Sequence, residues 1–92
     1  MKIQDIYSRT KDGQRIDAAG QIVDLRITQE SSGKDMAFFE LDDNTDSISC
    51  VVFPSVFHKV RKQLSVGSSI KLEGKVSIGN DYSIIADSIL PA

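Results

Sequence analysis

Two strand-like runs joined by an acidic turn constrain the fold of this chain more than any other feature. Residues 33–43 combine a glycine–lysine turn, alternating apolar positions and a closing pair of aspartates, and residues 47–53 repeat the alternation until a proline ends it. Two short strands separated by a polar turn predict a β-hairpin. Because side chains alternate between the two faces of a strand, Met36 and Phe38 are predicted on the face opposite to Phe39.

Length and charge limit the range of functions. The chain has 92 residues, of which 40% are hydrophobic, and this is enough for one domain near the lower limit of a self-supporting core. The formal net charge is −2. It argues against a tight general-purpose nucleic-acid binder, because neutralising phosphates requires clustered Lys and Arg side chains. The placement of the cations, rather than their total, therefore decides whether a phosphate backbone can bind.

Cysteine content and hydropathy indicate the compartment. Cys50 is the single cysteine, so no intramolecular disulfide can form, which is typical of a reducing environment. Its parity in the second strand of the hairpin predicts a buried thiol. No apolar run approaches the length of a membrane span, and the N-terminal residues lack the apolar centre of a signal peptide. The expectation is a cytoplasmic protein with no membrane partner.

The first strand is predicted over residues 16–27 and is interrupted. Gly20 lies within it, and the parity of the apolar positions changes between Ile22 and Val23. A glycine combined with a change of parity predicts a β-bulge, which bends and twists a strand. A long, bent first strand is what a small barrel needs in order to close. Residues 1–15 are predicted to be a separate, partly ordered lead-in segment with a short apolar stripe of helical spacing.

A helix and two more strands complete the pattern. Pro54 opens a segment in which apolar residues recur with helical spacing as far as residue 64. Strands are predicted over residues 69–78 and 82–89, with a tight turn between them. Residues 16–92 therefore follow the order strand, strand, strand, helix, strand, strand. This order predicts an all-β fold, a five-stranded OB-fold barrel with one α-helix between strands 3 and 4.

Several short motifs, taken in order, resemble those of a known family. They are Ala-Gly-Gln-Ile-Val at 19–23, Gly-Lys-Asp-Met-Ala-Phe at 33–38, Leu-Asp-Asp at 41–43 and Val-Val-Phe-Pro at 51–54. Their order and spacing resemble the OB domain of the bacterial DNA polymerase III alpha subunit, which is of the tRNA anticodon-binding type. The resemblance spans residues 18–89. The resemblance implies binding of single-stranded nucleic acid, namely DNA in a replication setting, as an accessory to a larger assembly.

Seven residues are predicted to contact nucleic acid. Phe38, with Met36 and Val51 beside it, would form an outward stacking patch on the second and third strands. Four basic residues are the best placed to follow a phosphate backbone across the sheet and its loops: Arg26, Lys34, Lys71 and Lys75. The alternative for the patch is packing against a loop, the lead-in segment or a neighbouring domain. The alternative for the lysines is an ordinary solvated surface.

The helix carries a second group of cations. Its basic residues lie on the side opposite to the apolar stripe: His58, Lys59, Arg61 and Lys62. Such a face can contact phosphate or an acidic partner, but solvation is the favoured interpretation.

No catalytic, metal or cofactor site is predicted. Asp42, Asn44 and Asp46 have the alternate spacing of a calcium loop, but Ser47 replaces its glycine and Phe53 its final glutamate. The turn chemistry of Asp and Asn explains them instead. One histidine and one cysteine cannot form a catalytic triad or a zinc site. The chain is therefore expected not to be an enzyme.

Two functions remain open. The first is a module that binds single-stranded DNA, with RNA as the other possible ligand, and that works with a polymerase or another replication protein. The second is a protein-interaction OB domain whose exposed Met36, Phe38 and Val51 dock on a replication or polymerase partner without touching nucleic acid. The low charge favours the second function, and the resemblance and the placement of the cations favour the first.

Overall fold

Five strands form a closed barrel, and two short helices flank it. The computed structural model describes residues 1–92. In chain order the elements are α1 (Ile3–Arg9), β1 (Arg15–Gln29), β2 (Asp35–Asp42), β3 (Ser47–Val52), α2 (Pro54–Val60) with a 3-10 turn (Arg61–Gln63), β4 (Ser69–Ile78) and β5 (Tyr82–Pro91). The predicted OB-fold barrel, with a helix between the third and fourth strands, is confirmed.

The barrel closes because β1 pairs with two different strands. The order around the barrel is β1-β2-β3-β5-β4. The first part of β1 runs antiparallel to β4, from Arg15 beside Lys75 to Gln21 beside Ser69. From Gln21 onward, β1 runs antiparallel to β2. The remaining contact, between β3 and β5, is parallel.

The predicted irregularity in β1 lies where the strand changes partner. The register with β2 shifts between Ile22 and Asp24, as the change of parity indicated. A Cβ atom on Gly20 would lie 2.5 Å from the carbonyl oxygen of Asp42, so only glycine lets the two backbones approach here. The bend of β1 is therefore specified by a glycine and a bulge within a few residues of each other.

One apolar cluster fills the barrel. It comprises 20 buried residues, contributed by all five strands and both helices. Phe39 is 3% exposed and Cys50 is 1% exposed, so both lie in the core, as strand parity predicted. Burial raises the pKa of the Cys50 thiol far above its ordinary value, so this cysteine packs as a neutral apolar side chain.

The residues before the barrel form a helix that is attached to it. Ile3 and Ile6 of α1 are fully buried within the barrel's core cluster. The Ile3 N–H donates to Oδ2 of Asp43 at 2.8 Å, and the next N–H donates to Oγ1 of Thr45 at 3.2 Å. The β2–β3 turn thus supplies the cap that α1 lacks in its own sequence. That residues 1–15 are a lead-in segment distinct from the domain of residues 16–92 stays a prediction.

The second helix begins directly after β3. Pro54 occupies its first turn, where a missing N–H costs nothing. Phe57, Val60 and Leu64 are buried, and they carry most of the apolar stripe read from the sequence. Because α1 is attached to the start of β3 and α2 follows its end, the two helices lie at opposite ends of this strand. No helix in the structure has the length and apolar character required to cross a membrane.

Candidate nucleic-acid interface

Three of the predicted residues are direct cross-strand neighbours on the outer face of the barrel. Phe38 pairs with Arg26 of β1 on one side and with Val51 of β3 on the other. Arg26 is exposed, and Phe38 and Val51 are half-buried. Since directly opposed side chains on one face lie about 5 Å apart, the three form one continuous row. We call this row, together with Met36, the platform.

The guanidinium of Arg26 lies over the Phe38 ring. Its central carbon is 5.2 Å from the ring centroid, which is the geometry of a cation–π contact. Such a contact at an exposed site stabilises by about 0.5–1 kcal/mol. The two ion pairs of the protein involve other residues. The charge of Arg26 is therefore available to a ligand while its orientation is held by the ring.

The platform extends toward the start of β2. Met36 is half-buried and pairs with Thr28, next to the row along the same face. Phe53, just after β3, is 44% exposed. It has the same parity as Val51, so continuing the β2–β3 register places it beside Met36. Phe53 is not among the residues predicted from the sequence to bind nucleic acid, although its parity with Val51 is a usable signal.

Lys75 joins the row through a residue that the sequence analysis missed. Ile85 of β5 is half-buried and pairs with both Val51 and Lys75. The parallel β3–β5 contact that brings Ile85 beside Val51 leaves no local pattern in the sequence. With a strand spacing of 4.7–4.9 Å, Lys75 is about 14 Å from Phe38 along the curved surface. It marks the far end of the row that Arg26 begins.

Lys71 lies on a different part of the surface. It pairs with Ala19 of β1 and with Leu90 of β5, and it lines a groove with the N-terminal Met1. It lies four positions before Lys75 along β4, which corresponds to about 13 Å. The structure therefore does not bring Lys71 to the platform.

Lys34 stands at the end of the β1–β2 loop, beyond Met36. The loop is closed by the Gly33 N–H donating to the carbonyl of Glu30 at 2.8 Å, with Gly33 at φ 87°. This positive φ is readily adopted only by glycine. Lys34 is exposed, and the next four residues of β2 lead to Phe38.

Acidic residues border the platform on one side. Asp24 pairs with Glu40 on the same face as Arg26 and Phe38, two residues further along each strand. Glu40 accepts a hydrogen bond from the Ser49 hydroxyl at 3.1 Å. The outer face thus has a row of cationic and aromatic side chains next to a row of acidic ones.

The comparison with known families is consistent with this geometry. The model of the OB-fold nucleic acid binding domain, of the tRNA anticodon type, matches residues 16–92. The chain belongs to this family.

Relatives of this OB-fold domain include parts of much longer proteins. The DNA polymerase III subunit alpha of Pseudomonas fluorescens is 34% identical over 65 residues, which are 71% of this chain and 6% of the relative. The exodeoxyribonuclease 7 large subunit of Pseudomonas fluorescens strain Pf0-1 is 30% identical over 93 residues, covering 98% of this chain and 18% of the relative. The OB-fold domain thus spans only a small fraction of the relatives it matches.

A solved structure confirms the fold. The small single-stranded DNA-binding protein from Streptomyces coelicolor superimposes with a TM-score of 0.71 at 15% identity, covering 89% of this chain and 96% of that one. At this level of identity the likeness concerns the fold alone.

The acidic β2–β3 turn of the OB-fold domain has a structural role. Asp42 accepts the N–H of Asn44 at 2.8 Å, and Asn44 has a φ of 71°, which Asn tolerates better than most residues. Burial would raise the pKa of Asp43, but hydrogen bonds from the Thr45 hydroxyl and from backbone N–H groups, including that of Ile3, outweigh it. The pKa lies below its ordinary value. Turn chemistry, as predicted, accounts for these residues.

Proposed function

We propose that the domain binds single-stranded DNA across its platform, as a module that works in DNA replication. The observation that carries the proposal is the row in which the Arg26 guanidinium covers the Phe38 ring with Val51 alongside. Aromatic and guanidinium planes stack with bases of any sequence, at about 1–3 kcal/mol per base for an aromatic residue. Arg26 and Lys75, at the two ends of the row, supply the cations that a phosphate backbone needs.

The relatives support a DNA ligand and a binding role. By name, they are a subunit of a DNA polymerase and a subunit of an exodeoxyribonuclease. Since the matched segment is a small fraction of each, we propose that this chain contributes binding rather than catalysis. Weak affinity suits such a role, because covalent or subunit linkage to a larger protein raises the effective concentration of the second contact.

The second candidate function is protein docking through the same face. It is favoured by the net charge of −2 and by the exposed Phe53 next to Met36. An apolar patch of this kind can pack against a polymerase or another replication protein without touching nucleic acid.

Titration of fluorescently labelled oligo-dT at two salt concentrations tests the proposal. We expect dissociation constants of about 10⁻⁶ to 10⁻⁴ M, which weaken with salt by a log–log slope of about −0.7 per phosphate contacted. Phe38→Ala should weaken binding, whereas Leu90→Ala, which removes another exposed apolar side chain away from the platform, should not. Competition with oligo-U compares RNA with DNA.

The two functions predict opposite results. If the intact protein shows no salt-dependent binding of oligo-dT or oligo-U, the nucleic-acid proposal is wrong. If Phe38→Ala and Leu90→Ala bind oligo-dT with equal affinity, the DNA binds elsewhere on the domain. The platform is then better explained as a protein-docking surface.

A further inference from the structure

Charge is unevenly distributed along this chain. From Ser47 to Leu72 there is no acidic residue, yet this stretch carries the single histidine and four of the Lys and Arg residues. All 13 Asp and Glu residues lie outside it. The stretch includes β3, α2 and the 3-10 turn. A chain of net negative charge therefore has a cationic region around α2.

Part of this cationic region borders a groove. The groove has a volume of about 360 Å³ and lies between the start of β2 and the second helix. Lys34 approaches it from the β1–β2 loop, and His58 and Arg61 approach it from α2 and the 3-10 turn. Asp35 is the single acidic residue in its lining. We call it the α2 groove.

The basic side chains of the α2 groove take part in no ion pair. Neither Lys34 nor Arg61 takes part in the ion pairs of the protein. The His58 Nδ1 lies 3.2 Å from the carbonyl oxygen of Pro54, an interaction that leaves Nε2 available to a ligand. Three nitrogen-bearing side chains from separate segments thus border one concave surface without a neutralising contact.

The α2 groove continues the platform. Phe38 pairs with Val51, and Ala37 pairs with Val52. Because the two strands are antiparallel, the end of β2 nearest to Lys34 lies beside the end of β3 that leads into α2. Lys34 lies four positions before Phe38, which corresponds to about 13 Å of extended chain. When one base of a single strand stacks on Phe38, the phosphates of nearby nucleotides in the same strand can therefore reach the groove.

We propose that the α2 groove binds a backbone phosphate of the same DNA strand whose bases stack on the platform. This proposal rests on the proposed function and adds a second contact region to it. The planar guanidinium of Arg61 is suited to bidentate contact with phosphate oxygens, and Lys34 adds a compact charge. His58 borders the same surface, with Nδ1 directed at the Pro54 carbonyl. The second helix, assigned to solvent by the sequence analysis, becomes part of the binding surface.

Two oligonucleotide lengths separate the groove from the platform. The full chain is titrated with the dinucleotide dTpT, which is too short to reach from Phe38 to the groove, and with oligo-dT of about twelve nucleotides, which reaches it. Arg61→Ala should weaken binding of the longer strand about two- to fivefold, as for an exposed charge pair. It should also reduce the salt slope by about 0.7. Binding of the shorter strand should not change.

Lys62→Ala is the matched control. It removes one positive charge from the same 3-10 turn, and its side chain is exposed but does not line the groove. We expect wild-type affinity and salt slope for both strand lengths. Thermal unfolding of each variant confirms that the fold is retained.

The possible outcomes separate the two proposals. Equal losses in Arg61→Ala and Lys62→Ala would reveal a general charge effect and overturn the groove. If Arg61→Ala changes neither strand while Phe38→Ala weakens both, the groove proposal fails and the platform proposal stands. If the wild type binds neither strand, both proposals fail. If Arg61→Ala weakens binding of a glutamate-rich peptide but not of oligo-dT, the groove proposal is wrong and the groove binds an acidic protein segment instead.

Discussion

Arg26 and Phe38 form a stacked pair across β1 and β2, with the guanidinium carbon 5.2 Å from the ring centroid. Both belong to regular strands, so their separation is set by the register of the barrel rather than by a loop. A site built on strands is held more rigidly than one built on loops, which lowers the ordering cost of binding. The pair is thus the most direct target for mutation.

Phe38 and its neighbour Phe39 should respond to truncation in opposite ways. Phe38→Ala should cost about 1–3 kcal/mol of binding free energy for oligo-dT and little stability, since the side chain is on the outer face. Phe39 is 3% exposed, so Phe39→Ala should open a cavity and cost about 3–5 kcal/mol of unfolding free energy. Anisotropy titration and urea unfolding measure the two quantities. Equal destabilisation by both variants would contradict the assigned faces.

Two substitutions of Arg26 separate charge from stacking. Arg26→Lys keeps the positive charge but loses the planar group that lies over Phe38, whereas Arg26→Ala loses both. We expect Arg26→Lys to weaken oligo-dT binding while keeping the wild-type salt slope. Arg26→Ala should weaken binding further and reduce the slope by about 0.7. Identical affinities for the wild type and Arg26→Lys would show that only the charge matters.

The helix α1 should contribute to the stability of the barrel. Ile6 is fully buried in the common core, so Ile6→Ala should lower the unfolding free energy by about 2–5 kcal/mol. Chemical unfolding followed by circular dichroism measures the change. Val66→Ala, which truncates a side chain that is 64% exposed, is the control and should alter stability by no more than about 0.5 kcal/mol. A wild-type result for Ile6→Ala would show that residues 1–15 form a dispensable segment.

Asp43 should make the stability depend on pH. Its pKa is lower in the folded protein than in the unfolded chain, so its contribution is present above the unfolded pKa of about 3.9. That contribution is lost as the pH falls through the folded pKa. Asp43 uses both carboxylate oxygens, Oδ2 for the Ile3 N–H and Oδ1 for Thr45, whereas asparagine has one acceptor oxygen. Asp43→Asn should therefore cost about 0.5–1.5 kcal/mol at neutral pH, as for one lost hydrogen bond, and less at about pH 3.

Urea unfolding at the two pH values measures this difference. Asp46→Asn is the charge-matched control, because the Asp46 carboxylate accepts only the N–H of the following Ser47 and does not reach α1. If the two variants lose equal stability at neutral pH, the Asp43 carboxylate does not act as the cap of α1.

The sequence predicted the parts of this structure that depend on local pattern. Strand periodicity placed Phe38 outside and Phe39 inside, and the parity change near Val23 located the bulge of β1. These features follow from chain geometry over a few residues. The closure of the barrel was predicted from the order of the elements.

Features that depend on distant segments were beyond local patterns. Ile85 joins the platform only through the parallel β3–β5 contact. Lys71 lies outside the platform because it is four positions away from Lys75 along β4. The cap of α1 comes from Asp43, forty positions away. The α2 groove likewise needs the β1–β2 loop and the second helix to meet. Each requires the tertiary register, which a single sequence does not reveal.

The double pairing of β1 has a consequence for how the molecule opens. A closed ring has no edge strand that can detach alone, and its seam joins β1 to β4 across most of the chain. Local separation at this seam would expose the core at once. The slowest amide hydrogens of β1 and β4 should therefore exchange with the free energy measured by urea unfolding, and slower exchange confined to β2 and β3 would contradict this. The platform is then as long-lived as the fold itself, because the strands that carry it separate only when the barrel unfolds.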